Sequence, residues 1–221
     1  MAERHQFSSE FYNITLKKIL KKEIICFLGK LFSKKQINVE KEYLQLGCGS
    51  DQNALNDSYI NCDIYNINFF KFYKKKKIHY LDLRNELPFK ENSFIGVFSE
   101  HTIEHLYPSE ALKLFSEIYR VLKPDGIFRL IVPDLKKYID YYNGYKVFPD
   151  GHFKSGCEAI WNICLNYEHK SVWDENWLTY NLKNSNFKKI ICSEYKVSLN
   201  EKLLLDKKGR EIESIYIEAI K

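Results

Sequence analysis

The chain has 221 residues, of which 45% are hydrophobic, so it can bury a full core and fits one large domain better than two small ones. It has no run of about 18 apolar residues, no leader-like start and no C-x-x-C cysteine pair, which together predict a soluble, cytoplasmic protein with reduced thiols. The net charge of +5 is too small for a dedicated nucleic-acid-binding protein.

The first predicted element is a basic amphipathic helix over residues 10–32, within a helical extension that covers residues 1–40. Apolar residues at helical spacing alternate there with lysines. A basic helix of this kind can lie on anionic lipid. Most amphipathic helices cover a core, however, so we favour packing on the main domain or on a second copy in a homodimer.

Residues 41–221 are predicted to form one α/β domain, because short apolar runs alternate with helical segments as in βαβ units. The predicted strands are Tyr43–Leu46, Tyr59–Asp63, Ile78–Leu81, Phe94–Ser99, Gly126–Val132, Phe187–Val197 and Glu211–Ile220. The predicted helices are Ser109–Leu122, residues 135–142 and Glu175–Leu182. The last two strands are expected to form an antiparallel hairpin.

The stretch of residues 143–173 is longer than a normal connection, so we expect it to be a lid or a substrate-binding insert. Aromatic residues in and before it are candidates for the lining of an acceptor pocket, although such residues more often pack ordinary cores. These candidates are Tyr141, Tyr142, Tyr145 and Trp161.

Three predicted strand ends carry groups suited to a nucleoside. The first strand runs into Gly47-Cys48-Gly49, where the missing Cβ atoms let the backbone approach a ligand closely. The second ends at Asp63, whose carboxylate can accept hydrogen bonds from both ribose hydroxyls. The third is followed by Asp82, which can accept a hydrogen bond from an adenine amino group. Gln52 replaces the third glycine of a dinucleotide fingerprint, so these groups favour an adenosine ligand over NAD.

The next motifs resemble those of a known family. They are Leu87-Pro-Phe-Lys-Glu-Asn-Ser-Phe94, Phe98-Ser-Glu-His-Thr-Ile-Glu-His-Leu106, Arg120-Val-Leu-Lys-Pro-Asp-Gly126 and Ile131-Val-Pro-Asp134. As a set they resemble class I methyltransferases of the methyltransferase-11 type. Among these, the chain is most similar to predicted methyltransferases associated with bacterial surface-glycan biosynthesis. It departs from the family at Asp51, where a third glycine is common, and at Ile95, where an acidic residue is usual.

The resemblance implies a doubly wound, mostly parallel sheet of seven strands with the last strand antiparallel. It also implies that S-adenosylmethionine is the cofactor and that a small molecule accepts the methyl group. The acceptor would be a hydroxyl of a sugar, a nucleotide-sugar or a related, possibly anionic, glycan precursor. The implied cofactor-binding residues are Gly47, Cys48, Gly49, Asp63, Asp82, Leu83, Ser99 and Glu100.

The segment after the fourth strand offers three candidate catalytic residues, His101, Glu104 and His105, whose spacing puts them on one face if the segment is helical. A histidine, first His101 and second His105, can act as general base while Glu104 orients it. Alternatively, the three residues bind a divalent metal, and His152 or His169 completes the site. Quinone-biosynthesis and small-RNA methyltransferases carry a similar metal-binding segment. In a third interpretation, Glu104 and His105 only brace the start of a helix.

Three rival functions remain open at this point. An RNA methyltransferase could use the Lys74–Lys77 run to bind phosphates, but no RNA-binding module accompanies the run. A non-catalytic regulator would bind the cofactor without turning over an acceptor. A nicotinamide-dependent oxidoreductase is disfavoured by the incomplete glycine pattern.

Overall fold

The structure is a computed structural model that describes residues 78–221 without interruption. The earlier described residues are 41–49, 55 and 57–64, with positions 20, 23, 24, 26 and 27. The Lys74–Lys77 run and most of the predicted helix over residues 10–32 therefore lie outside the described residues.

The described N-terminal positions are helical and contact the end of the third strand. The Glu23 carboxylate pairs with Arg84 at 2.8 Å, and the Cys26 carbonyl accepts a hydrogen bond from the Tyr80 hydroxyl at 3.2 Å. These contacts agree with an extension that packs on the main domain.

Seven strands of the described residues form one sheet in the order β3-β2-β1-β4-β5-β7-β6. The strands are β1 (Tyr43–Leu46), β2 (Tyr59–Asp63), β3 (Ile78–Tyr80), β4 (Phe94–Glu100), β5 (Leu122–Pro133), β6 (Lys189–Ser193) and β7 (Ser214–Ile220). The first five strands run parallel to one another, whereas β7 runs antiparallel to both β5 and β6. The predicted doubly wound α/β fold and the antiparallel final pair are confirmed.

Residues 78–221 contain four α-helices and three short 3-10 turns. The helices are α1 (Pro108–Val121), α2 (Leu135–Tyr142), α3 (Gly156–Leu165) and α4 (Glu175–Asn184). The 3-10 turns are Ile103–His105, Asn166–Glu168 and Glu201–Leu203. Within the described part of the chain, no helix is long and apolar enough to cross a membrane.

The largest core lies between one face of the sheet and the helices α1 and α4. Helix α1 buries a stripe at helical spacing, which includes Leu114, Phe115 and Ile118, against β-strand residues such as Phe128. A smaller core, which includes Tyr59 and Leu203, covers the other face of the sheet. Strands β1 and β2 are buried along their whole length, so their apolar runs predict the bounds of both strands correctly.

The insert of residues 143–173 has a core of its own, in which Tyr138 of α2 packs with Phe148 and with residues of α3. The hydroxyl of Tyr141 donates to the Phe153 carbonyl at 3.1 Å, so this tyrosine contributes to the structure of the insert. Tyr142 and Tyr145 are exposed. The roles of these residues in an acceptor pocket stay predictions.

Three strand boundaries differ by more than two residues from those predicted. Strand β5 begins at Leu122 because Leu122 pairs with Phe94 across a bulge before the regular ladder resumes at Gly96. Strand β6 ends at Ser193, since the chain then leaves the sheet and crosses its second face. Strand β7 begins at Ser214, where its ladder with β5 starts.

A buried ion cluster fastens this crossing segment to the sheet. Arg129 lies in the middle of β5 with no exposed surface, and its guanidinium contacts Asp206 at 2.6 Å and Glu218 of β7 at 3.1 Å. The same guanidinium donates to the carbonyls of Glu194 and Val197 at 3.1 and 2.8 Å. All five N–H groups of Arg129 therefore have acceptors, which is the condition under which a buried charge is tolerated.

Candidate active site

The glycine turn after β1 holds the backbone at the carboxyl edge of the sheet. The amides of Gly47 and Cys48 donate to the Cys62 carbonyl at 2.9 and 3.1 Å, so the turn is tied to the end of β2. Gly47 has a φ of +71°, and a Cβ at this position would lie 2.8 Å from the Cβ of Thr102. Only glycine fits here, because the turn is packed directly against the segment that follows β4.

The two predicted acidic groups lie at the ends of neighbouring strands. The carboxylate of Asp63 accepts a hydrogen bond from the Gly49 amide at 2.6 Å, which joins it to the glycine turn. Both oxygens of Asp82 accept hydrogen bonds from Arg84, with its Nη2 at 2.8 Å from Oδ2. The neighbouring Leu83 is buried. The roles of these residues toward ribose and adenine stay predictions.

The Asp82–Arg84 pair predicts a pH-dependent contribution to stability. Burial raises the pKa of Asp82, but the hydrogen bonds and charge of Arg84 lower it by more, and the net pKa is below its usual value. The folded state thus favours the charged carboxylate, so the contribution is present above the unfolded pKa of about 4 and is lost as the pH falls through the lower folded pKa. We expect Asp82→Asn to lower the free energy of unfolding by about 1–2 kcal/mol at pH 7, with less effect at pH 3.

Urea denaturation at both pH values measures this difference. Asp57→Asn is the control, because Asp57 is exposed in the turn before β2. An equal effect of Asp82→Asn at pH 7 and pH 3 would contradict the linkage.

The end of β4 presents a buried hydroxyl and a buried carboxylate. Among the described residues, the Ser99 hydroxyl has no hydrogen-bond partner, and neither does Oε2 of Glu100. The other Glu100 oxygen accepts a hydrogen bond from the Lys207 amide at 2.9 Å. Burial raises the pKa of Glu100 and lowers the pKa of Lys207. Lys207 comes from the loop between β6 and β7, so that loop forms part of the site.

The segment after β4 is not an α-helix. His101 has a φ of +49° and precedes the 3-10 turn Ile103–His105, so the helical geometry assumed for His101, Glu104 and His105 does not apply. Nδ1 of His101 nevertheless lies 3.5 Å from Oε1 of Glu104, and its Nε2 lies 2.7 Å from the Ser214 hydroxyl. Burial lowers the pKa of His101 well below its usual value. Both ring nitrogens of His101 thus face protein atoms.

Glu104 lies at the centre of the site and is 1% exposed. Neither of its carboxylate oxygens has a hydrogen-bond partner within the described part of the chain, and burial raises its pKa to about 8. Its carbonyl accepts hydrogen bonds from the amides of Lys170 and Ser171 at 2.8 and 3.1 Å, which docks the end of the insert on the turn. The start of α1 is instead capped by Tyr107 and Glu110, so the carboxylate of Glu104 does not serve as that cap.

His169 joins the site from the docked end of the insert. Its Nε2 lies 4.0 Å from Oε1 of Glu104, and its ring meets that of His105 edge to face with the centroids 5.1 Å apart. Glu104, His105 and His169 each offer a ligand atom, and these atoms lie within 4.8 Å of one another. The other histidine considered from the sequence, His152, stacks on Phe148.

Sequence reasoning missed two basic residues beside the site, Lys207 and Arg210. The charge of Arg210 lowers the pKa values of Glu104 and His101, so Arg210 lies close to both. Both residues belong to the loop after β6, and no motif marks them. The only available signal was their position before the last strand of a sheet whose carboxyl edge holds the site.

A family model described as a methyltransferase domain matches residues 44–130. This span runs from β1 into β5 and contains the glycine turn, both acidic strand ends and Glu104. Residues 44–130 are therefore similar to a methyltransferase domain.

Solved methyltransferase structures resemble most of the chain in fold. A SAM-dependent methyltransferase from Archaeoglobus fulgidus is 18% identical with a TM-score of 0.51, covering 92% of this chain and 94% of its own. A possible histamine N-methyltransferase from Thermotoga maritima is 15% identical with a TM-score of 0.52, covering 93% of each chain. Phosphoethanolamine N-methyltransferase 2 from Haemonchus contortus, crystallised with S-adenosylmethionine, is 17% identical with a TM-score of 0.51, covering 91% of this chain and 52% of its own. No curated protein matches the chain.

At these identities the structural likeness concerns the fold, which is that of the S-adenosylmethionine-dependent methyltransferases. The family match adds a likeness to a methyltransferase domain over residues 44–130. In this fold a ligand lies outside the carboxyl ends of the strands, which is where the glycine turn, Asp63, Asp82 and Glu100 meet.

Proposed function

We propose that the protein transfers the methyl group of S-adenosylmethionine to a hydroxyl of a small polar acceptor. The acceptor is a sugar, a nucleotide-sugar or a related precursor of a surface glycan. The resemblance of the motifs between Leu87 and Asp134 to glycan-associated methyltransferases supports the glycan part. The chemistry of the segment after β4 supports the hydroxyl.

One observation carries this proposal, namely the contact between Gly47 and Thr102. This contact packs the glycine turn against the segment that contains Glu104 and His105. A sulfonium bound at the turn would therefore lie close to a group that can accept a proton. In the reaction the acceptor oxygen forms a bond to the methyl carbon, and the carbon–sulfur bond breaks. Its electron pair stays on sulfur, and the hydroxyl proton leaves to a basic group or to water.

The residues of this segment have distinct proposed roles. We assign His105 and Glu104 to the acceptor side of the segment, and we assign His101, whose Nδ1 lies 3.5 Å from Oε1 of Glu104, to holding that carboxylate in place. The prediction that His101 itself is the base requires an acceptor hydroxyl to displace Ser214 from its Nε2. We therefore rank His105 before His101 as the group that contacts the acceptor.

Charge near the site supports an anionic acceptor. Lys207 and Arg210 are two cations on the loop that borders Glu100 and Glu104. A phosphate or carboxylate on the acceptor would find partners there, because basic side chains bind such groups with charge-assisted hydrogen bonds. Nucleotide-sugars and uronic acids carry groups of this kind.

Calorimetry followed by an acceptor screen tests the proposed function. We expect S-adenosylmethionine and S-adenosylhomocysteine to bind, and Asp63→Ala to weaken both about 10- to 100-fold because a ribose hydrogen bond to a charged group is lost. Asp57→Ala, in the exposed turn before β2, is the matched control and should bind normally. Mass spectrometry of products from sugars, nucleotide-sugars and amines then identifies the acceptor.

Methylated hydroxyl products from the anionic sugars would support the proposal. Methylation of amines without any hydroxyl product would overturn the proposed acceptor and leave the methyltransferase domain intact. Cofactor binding that is indifferent to Asp63 would contradict the proposed role of its carboxylate.

A further inference from the structure

Glu104 is a buried acid whose charge has no hydrogen-bonded partner. It is 1% exposed, and both carboxylate oxygens lack a hydrogen bond among the described residues. Leaving a buried carboxylate without partners is costly, so native proteins normally pair such a group or use it to bind an ion. A cation or a hydrogen-bond donor next to Glu104 would therefore stabilise its carboxylate.

His169 is oriented so that one of its ring nitrogens can bind a cation next to Glu104. Its Nδ1 lies 2.7 Å from the Ile163 carbonyl, which can only accept a hydrogen bond, so Nδ1 carries the proton. The lone pair is then on Nε2, the nitrogen that lies 4.0 Å from Oε1 of Glu104. A backbone carbonyl that fixes the tautomer of an imidazole in this way is the usual support of a metal-binding histidine.

We propose that Glu104, His105 and His169 bind one divalent transition-metal ion. Their ligand atoms lie within 4.8 Å of one another, so small rotations of the side chains would bring all three to about 2 Å from one ion. Two of the three residues are consecutive in the 3-10 turn, and the insert supplies the third by docking its backbone on the Glu104 carbonyl. This assignment replaces His101 by His169 in the metal site considered from the sequence.

The ligand chemistry narrows the class of ion. Two imidazoles and one carboxylate suit zinc, cobalt, iron or nickel, whereas magnesium and calcium prefer oxygen ligands throughout. Three protein ligands also leave coordination positions open for other groups, such as an acceptor oxygen. In this respect the inference deepens the proposed function and rests on it, although the binding of the ion itself does not.

The charges around the site have opposite signs. Arg210 lies on the β6–β7 loop and opposes a bound cation, whereas Glu100 and Glu213 favour one. His101 lies 3.5 Å from the same Glu104 carboxylate and is kept neutral by burial, so it adds no positive charge there. An ion that also binds an anionic acceptor would be stabilised by that acceptor, beside which Arg210 and Lys207 provide the remaining positive charge.

Metal titration of the chelator-treated protein, without cofactor or acceptor, tests the inference. We expect calorimetry with Zn²⁺ and absorption with Co²⁺ to give one ion per chain. Glu104→Gln, His105→Ala and His169→Ala should each weaken binding by at least about 100-fold, because each removes a direct ligand. His152→Ala is the matched control, since His152 stacks on Phe148 outside the cluster, and it should bind as the unmodified protein does.

The variants also separate this site from metal bound at exposed thiols such as Cys157 and Cys192, which all of them retain. Thermal unfolding of each variant shows whether it is folded, and Glu104→Gln keeps the shape of the side chain. The inference is overturned if no ion binds, or if the three ligand variants bind as tightly as His152→Ala.

Failure of the metal site and failure of the proposed function are distinguishable. If the chelator-treated protein still methylates a hydroxyl and binds no metal, the metal site is contradicted and the proposed function stands. If metal binding depends on the three residues but only amines are methylated, the metal site stands and the proposed hydroxyl acceptor is contradicted.

Discussion

Gly47→Ala is expected to abolish measurable binding of S-adenosylmethionine. The new Cβ would lie 2.8 Å from the Thr102 Cβ and closer still to the two other Thr102 side-chain atoms, so no rotation of Thr102 relieves the overlap. The φ of +71° adds about 1–2 kcal/mol of backbone strain for a residue with a side chain. The turn must move away from the segment after β4, and the cofactor-binding groups that we propose on the turn move with it. Calorimetry should show a loss of affinity of more than about 100-fold, because about 1.4 kcal/mol corresponds to tenfold.

Gly144→Ala is the matched control for this change. Gly144 has a φ of +91°, but a Cβ there would contact nothing within 4 Å, so the substitution adds backbone strain without overlap. It should lower stability slightly and leave cofactor affinity unchanged. If both variants bind the cofactor equally well, the close packing of Gly47 on Thr102 does not position the cofactor turn.

Arg129→Met is expected to lower the free energy of unfolding by about 3–5 kcal/mol. The substitution keeps a long side chain but leaves Asp206 and Glu218 as buried carboxylates without their cation. It also removes the donors to the Glu194 and Val197 carbonyls, so the segment that crosses the second face of the sheet loses its anchor. Chemical denaturation followed by circular dichroism measures the loss.

Lys136→Met is the control, because Lys136 pairs with Asp140 on the surface and exposed pairs contribute little. Its denaturation midpoint should match that of the unmodified protein. If the midpoint of Arg129→Met also stays unchanged, the buried ion cluster contributes no more to stability than an apolar contact would. The triple replacement of Arg129, Asp206 and Glu218 by apolar residues should recover part of the lost stability, since it leaves no unpaired charge.

The sheet could be predicted from the sequence because its central strands are buried on both faces. A continuous apolar run such as Tyr43–Leu46 is stable only as a strand that is covered on both faces of the sheet. The start of β5 was harder to predict, since Pro124, Asp125 and Gly126 are typical of a turn. Asp125 indeed has a φ of +62°, but Leu122 before it still pairs with Phe94.

The site could be predicted where it depends on neighbouring residues and not where it depends on distant ones. Glu104 and His105 were identified as candidates because a proton acceptor is expected after β4. His169 reaches them only through the docking of the insert on the Glu104 carbonyl, which no local pattern encodes. Arg129 and Glu218 did leave a signal, since each is a charged residue inside an apolar strand, and they pair directly across β5 and β7.

The place of β7 in the sheet has a consequence for the order of folding. Translation produces this strand after every other described strand, yet it lies between β5 and β6. Until it is made, β5 has an open edge and β6 has no neighbour at all. Open strand edges template association with other chains, so the nascent protein passes through a state that is prone to aggregate. A chain cut before Ser214 would remain in that state, with two separated edges in place of one finished sheet.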